Sequence, residues 1–147
     1  MEDLDQAMLG EIEGIFGNRL KQSSPGRPAA DGALAFVFPT SADEVVLLAR
    51  LAERYSVPLA AIGAETAQER PTKEGRILVR FDLMRGLWLS EEPWAEAEPG
   101  ALWLELDNGL RLRGRGLTVY PTSAPRATVG AGSPRMAWGS ALSSTAG

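Results

Sequence analysis

Leu4, Met8, Ile12 and the Ile15/Phe16 pair recur near i, i+4 and i+8 with acidic residues between them, which predicts a short helix within residues 1–20. Gly10, Gly14 and Gly17 count against it, because glycine is a poor helix former. Gln22-Ser-Ser-Pro-Gly-Arg-Pro28 reads as a loop. Ala33-Leu-Ala-Phe-Val-Phe38 is a continuous apolar run ahead of Pro39 and predicts a buried strand. The next helix starts at Thr40/Ser41. Ser41-x-x-Glu44 fits a capping box, in which the hydroxyl accepts from a free amide and the Glu reaches back. Val45, Leu48, Ala49 and Ala52 fall on one face of that helix, with Arg50, Glu53 and Arg54 opposite. Ser56-Val-Pro58 ends it, and Leu59-Ala-Ala-Ile62 predicts a second short buried strand. Strand, helix and strand in about 30 residues make a β-α-β unit with parallel strands.

Beyond it, Gly63-Ala-Glu-Thr66 opens a loop that runs through Pro71 to Gly75. Arg76-Ile-Leu-Val-Arg80 alternates and predicts a strand. Leu83 to Leu89 and Trp94 to Glu98 predict two more, separated by the turn Ser90-Glu-Glu-Pro93, and Glu98-Pro99-Gly100 is a second turn. Leu102, Leu106 and Leu110 share one face of a helix over Ala101 to Leu110, and Leu117-Thr-Val-Tyr120 reads as a short strand. From Ala127 the composition changes: 15 of the last 21 residues are Gly, Ala, Ser or Thr. Such a segment cannot build its own core, so it is either a flexible tail or a backbone-rich ligand loop. The organisation expected is a helix and loop over 1–32, an α+β subdomain over 33–126, and the small-residue segment 127–147.

Composition narrows the chemistry. The chain has no Cys and no His, which removes disulfides, thiol and Ser-His-Asp catalysis, zinc fingers and flavin tethering through either residue. Any metal site would rest on carboxylates. No apolar run approaches the ~20 residues that span a bilayer. The acidic start Met1-Glu-Asp-Leu-Asp5 does not read as a secretory signal, so a cytoplasmic protein is the default expectation. Residues 1–100 carry 10 basic and 17 acidic side chains, and residues 101–147 carry 5 and 2. The acidic body argues against nucleic acid as a partner, while the basic, glycine-rich end suits an anion.

Two segments could carry a ligand. Gly63-Ala-Glu-Thr66 follows a strand, where a glycine lets backbone amides approach a phosphate and a hydroxyl can donate to it. Thr128-Val-Gly-Ala-Gly132 is a second small-residue loop preceded by Pro121-Thr-Ser-Ala-Pro125. Together they suggest one ligand with two contact regions. Each also has a plain reading, a common turn for the first and a tail for the second. Arg111-Leu-Arg-Gly-Arg115 reads as a helix end and turn, since no aromatic interleaves to stack a base. Trp88, Trp94, Trp103 and Trp138 read as core or partner-facing, and Glu11/Glu13 and Glu91/Glu92 as solvated surface.

The order of these pieces resembles the FAD-binding domain of the vanillyl-alcohol oxidase and p-cresol methylhydroxylase type, in its glycolate oxidase and D-lactate dehydrogenase branch. The residues that carry the resemblance are Phe38-Pro-Thr-Ser-Ala-Asp-Glu-Val-Val46, Ala52 to Pro58, Gly63-Ala-Glu-Thr66, Phe81-Asp-Leu-Met84, Ala97-Glu-Pro-Gly100, Trp103-Leu-Glu-Leu106, Gly116-Leu117, Pro121-Thr-Ser-Ala124, Ala127-Thr-Val-Gly130, Gly139 and Gly147. The resemblance spans residues 33–147 and implies an α+β fold, a truncated β-α-β half-domain of that FAD-binding type. By resemblance, Gly63, Ala64, Glu65 and Thr66 occupy the turn that holds the FAD pyrophosphate. Pro121, Thr122, Ser123, Thr128, Val129, Gly130, Ala131 and Gly132 occupy the second contact region, on the flavin side.

The chain departs from the family pattern at three places. Glu65 stands where the pattern has its second glycine, and the later glycine pair is absent. The glycine pair of the second stretch is Gly130-Ala131. The chain stops at Gly147, where the family continues into a second half-domain and a substrate cap that hold most catalytic residues, so none is assigned here. The resemblance implies FAD and a 2-hydroxy acid substrate; the lack of His and Cys makes that FAD non-covalent, and the unpaired edges of a half-domain predict self-association or a partner subunit that completes the domain. A module of the same fold that has lost FAD and serves assembly is the other reading.

Overall fold

The computed structural model describes residues 2–23, 32–63, 75–118, 125–132 and 142–144. The chain divides into two compact units, Met1–Ile62 with Ala67–Leu83, and Gly63–Thr66 with Met84–Gly147. Among the described residues no helix is long and apolar enough to cross a membrane.

The first unit is a four-stranded sheet with helices packed on it. Helix α1 (Glu2–Phe16) turns Met8, Leu9, Ile12 and Phe16 inward. A short 3-10 turn, Gly17–Arg19, delivers the chain into β1 (Leu20–Gln22), a strand the sequence pattern does not predict. Only Leu20 of β1 is buried, so a three-residue edge strand ending in Lys and Gln leaves no periodic trace. Strand β2 (Ala33–Val37) alternates as a strand with one face in the core, with Ala33, Ala35 and Val37 buried.

Helix α2 (Ala42–Tyr55) begins at Ser41, whose Oγ accepts from the Glu44 amide at 3.3 Å. The Glu44 carboxylate reaches back to the Thr40 amide at 2.7 Å, one residue before the cap. The buried face is Leu48, Leu51 and Ala52, and Ala49 is exposed, which corrects the expected face at one position. At the far end Ser56 adopts φ 56°, and the Val57 amide bonds the Ala52 carbonyl at 2.9 Å ahead of Pro58.

Strands β3 (Leu59–Ile62) and β4 (Arg76–Arg80) complete the sheet in the order β1-β2-β4-β3. Both β2 and β3 run parallel to β4, so the β-α-β unit forms with a third strand inserted between its two strands. This moves β3 to the edge, where it is half-buried rather than buried. It puts β4 in the centre, where Arg76 through Val79 are all buried and the expected alternation is lost. Ala35, Val37, Ile77 and Val79 meet Met8, Ile12, Leu48 and Leu51 in one core.

Arg19 ties this unit together. Its Nη1 donates to the Phe38 carbonyl at 3.1 Å, and its two terminal nitrogens grip the Glu44 carboxylate at 2.6 and 2.7 Å. That guanidinium, with further donation from Thr40, holds the Glu44 carboxyl down at about 2 against 4.5. A carboxylate depressed in the folded state stabilises the fold above its unfolded value, and the benefit is lost as pH falls through the folded value. Arg19→Ala is therefore expected to cost about 1–2 kcal/mol at pH 7, where the two side chains of the bidentate pair are only 24% and 20% exposed. The difference from wild type should shrink between pH 4.5 and 2. Urea midpoints across that range check it, and a pH-independent difference would rule out the ion pair as its source.

The second unit is built on helix α3 (Trp103–Arg111), beside the hairpin β5 (Leu87–Leu89) and β6 (Ala95–Ala97). Leu102 N donates to the Glu105 carboxylate at 3.2 Å at the helix start. Trp103, Leu106 and Leu110 pack with Leu87, Leu89, Ala95, Leu117, Ala127 and Val129. After α3 a turn leads into β7 (Arg115–Leu117), which pairs antiparallel with β8 (Leu142–Ser144). Arg111 to Arg115 is thus a helix end, turn and strand start, while Val119 and Tyr120 of the expected strand lie outside the described residues.

Candidate functional site

Of the residues expected to contact a ligand, Gly63, Thr128, Val129, Gly130, Ala131 and Gly132 are described. Ala64, Glu65, Thr66, Pro121, Thr122 and Ser123 lie outside the described residues. The described ones come together. A Cβ built on Gly63 would stand 2.5 Å from Ala131 Cβ and 2.7 Å from Thr128 Oγ1. The first and second small-residue segments therefore meet, at a separation that only a glycine permits at position 63.

The second segment is no free loop. Thr128 forms a bridge to Leu102, and Val129–Gly132 closes into a single helical turn, α4. The Trp103 amide donates to the Ala127 carbonyl at 3.1 Å, the Val129 amide to Ala101 at 2.8 Å, and the Gly130 amide to Pro99 at 2.9 Å. Glu98-Pro-Gly100, which reads as a turn in the sequence, is thus also the anchor for this segment. Pro99 lies so close that a Cβ on Gly130 would meet its Cβ at 2.6 Å and its Cα at 3.0 Å.

These bonds decide which groups remain for a ligand. The Val129 and Gly130 amides are spent on backbone carbonyls. Ala131 N donates to Thr128 Oγ1 across a long 3.4 Å. What faces Gly63 is a half-buried threonine hydroxyl and a methyl group. Arg126, two residues ahead of Thr128, is exposed and supplies positive charge. Among the described residues no cluster of three or more His, Cys, Asp or Glu could hold a metal. Gly63, Thr128 and Ala131 thus form a small-residue cradle with one hydroxyl, and Arg126 stands two residues along the chain.

The class defined by this fold and cradle is a cofactor-binding α+β domain, and the comparisons make it specific. A family model described as an FAD binding domain matches residues 33–147, and the chain belongs to that family. FAD is the cofactor of the family. No curated protein sequence matches the chain. Several solved structures share the fold. An alkyldihydroxyacetonephosphate synthase superposes with a TM-score of 0.73 at 20% identity, over 86% of this chain and 31% of that one. The 4-ethylphenol oxidase from Gulosibacter chungangensis gives 0.72 at 18% identity, over 90% and 29%. A p-cresol methylhydroxylase gives 0.69 at 11%, over 87% and 28%. The chain therefore spans under a third of the length of these proteins.

Proposed function

We propose that this chain is the FAD-binding part of an FAD-linked oxidoreductase acting on a 2-hydroxy acid such as glycolate or D-lactate, completed by a partner subunit or a second copy. The observation that carries the reading is the meeting of Gly63 with Thr128 and Ala131, two segments far apart in sequence that the family resemblance assigns to one cofactor. Gly63 to Thr66 would take the pyrophosphate, and Pro121 to Ser123 with Thr128 to Gly132 the flavin side. When bound, the flavin supplies the electron-transfer chemistry, and this chain binds and orients it. Thr128 contributes a hydroxyl at the contact, and the anchoring of 127–130 on Pro99–Trp103 fixes where that hydroxyl points. The 2-hydroxy acid rests on the order of motifs from Phe38 to Gly147, in which the glycolate oxidase and D-lactate dehydrogenase branch is resembled most.

The purified chain is expected to take up FAD and release it on denaturation, since it offers no His or Cys for tethering. FAD titration followed by denaturation and filtration tests this. Flavin held on the polypeptide would contradict the non-covalent assignment. A chain that takes up no FAD under any salt condition would support the other reading, an assembly module, which Glu65 and the Ala131 methyl against Gly63 both favour.

A further inference from the structure

The hairpin β5–β6 carries two tryptophans that the core does not use. Leu87, Leu89 and Ala95 pack toward Trp103 and Leu106. Trp88 stands directly opposite Glu96, and Trp94, just ahead of β6, lines the same concavity as both. Trp88 is 56% exposed and Trp94 52%. Large apolar groups held at a surface are the informative exception to burial.

Trp88 is also fixed in place. A Cβ on Gly86 would run into the six-membered ring of Trp88, so the indole lies against that glycine. Gly86 is itself pinned, its amide donating to Glu98 Oε2 at 2.7 Å and its carbonyl accepting from the Glu98 amide at 2.8 Å. An aromatic surface set in advance loses little entropy on binding.

The two indoles line an open concavity of about 530 Å³, and Glu96 and Arg113 are also in its lining. That volume lies within the range of small-molecule sites. Arg113 is exposed and makes no ion pair among the described residues, whereas Arg111 is tied to Asp107 at 2.7 Å. Arg115 donates through Nη1 to the Ser90 carbonyl at 2.8 Å, and its Nη2 is buried without an acceptor among the described residues. Among the described residues Arg113 thus brings an unpaired guanidinium to the lining of the concavity.

We propose that this concavity binds a planar aromatic molecule carrying a single anionic group, its ring against Trp88 and Trp94 and its anion at Arg113. Indole faces attract flat rings, and a guanidinium pairs a carboxylate in its own plane. The limit to one charge follows from the other groups present. Glu96 shares the lining with Arg113, so one carboxylate already offsets the one guanidinium there. A pyrophosphate ligand such as FAD is disfavoured here, which separates this site from the cofactor cradle.

The probe is 2-naphthoate, with the neutral 2-naphthalenemethanol beside it, titrated into the ¹⁵N-labelled full chain. The chain has four indole N–H signals to follow. The two that vanish in Trp88→Phe and Trp94→Phe should shift, and the Trp103 signal should not. Naphthoate should bind roughly fivefold tighter than the alcohol, as for one exposed charge contact. Arg113→Gln should remove that preference and leave the alcohol's affinity alone. Trp88→Ala should weaken both probes about tenfold, as expected for one lost stacking surface, with the Trp103 signal unchanged as proof of folding. Equal affinities of the two probes, competition by FAD, or indole shifts that follow protein concentration without any probe would each overturn the proposal. The last would assign the surface to a second copy.

Discussion

Gly63→Ala is expected to destabilise the second unit by about 2 kcal/mol, within the range for overpacked positions, and Ala131→Gly in the same chain should recover more than half of that. The new methyl would enter at 2.5 Å from Ala131 Cβ, a distance no pair of carbons tolerates, and at 2.7 Å from Thr128 Oγ1. The first obstacle disappears when Ala131 becomes glycine. The second is a hydroxyl held, among the described residues, by a 3.4 Å bond from Ala131 N, so it can turn away at little cost. Ala131→Gly alone should cost under about 1 kcal/mol, the helix penalty of glycine in a single exposed turn. Urea midpoints of the four proteins form a double-mutant cycle, and a coupling of about 1 kcal/mol or more is expected for side chains in direct contact. Additive effects would mean that the two segments do not meet in solution, which would remove the observation on which the cofactor reading stands. Gly130→Ala is the contrast. Its methyl would strike the Cα and carbonyl oxygen of Pro99, both at 3.0 Å. No side-chain deletion relieves a clash with backbone, and the Gly130 amide is bonded to that same carbonyl at 2.9 Å.

Much of the fold can be read from the residues because local and global preferences agree there. Ala33 to Val37 is apolar throughout, Ser41 and Glu44 mark a helix start, and Pro58 marks its end; the structure has each of these. What could not be read depends on partners distant in sequence. Leu59 to Ile62 looks as apolar as Ala33 to Val37, and nothing within four residues says that β4 will take the place between them. The same insertion buries Arg76, which in the sequence is an ordinary surface residue of an alternating strand. In α2, Leu47, Leu48, Leu51 and Ala52 allow more than one inward face, and packing against α1 and the sheet selects the one that leaves Ala49 outside. The small-residue segment from Ala127 could not be told from a tail by composition. What distinguishes it is its bonding to Pro99, Ala101 and Trp103, and backbone bonds leave no signature in side-chain identity. The family resemblance assigns residues 63–66 and 128–132 to one cofactor and is silent on this bonding.

Glu65→Gly is expected to tighten FAD binding about tenfold, with a gain that shrinks as salt is raised. A turn that receives a pyrophosphate works through amide donors and close backbone approach, which glycine allows and a carboxylate hinders. By resemblance Glu65 occupies that turn, at the position where the family pattern has glycine. At about 5 Å and an effective dielectric of ~20, each pair of like unit charges costs roughly 3 kcal/mol. Salt and rotation of the side chain into water reduce this to about 1.4 kcal/mol, which corresponds to the expected factor. The surplus of five arginines over two carboxylates in residues 101–147 pulls the other way. Those arginines are spread over 25 positions, and Arg111 is already committed to Asp107, so the local carboxylate outweighs them. FAD titrations of both forms at low and high salt separate the contributions. A gain that persists at high salt would point to bulk rather than charge at position 65. Equal affinities at both salts would show that Glu65 does not face the pyrophosphate, and the assignment of residues 63–66 to that turn would fall with it.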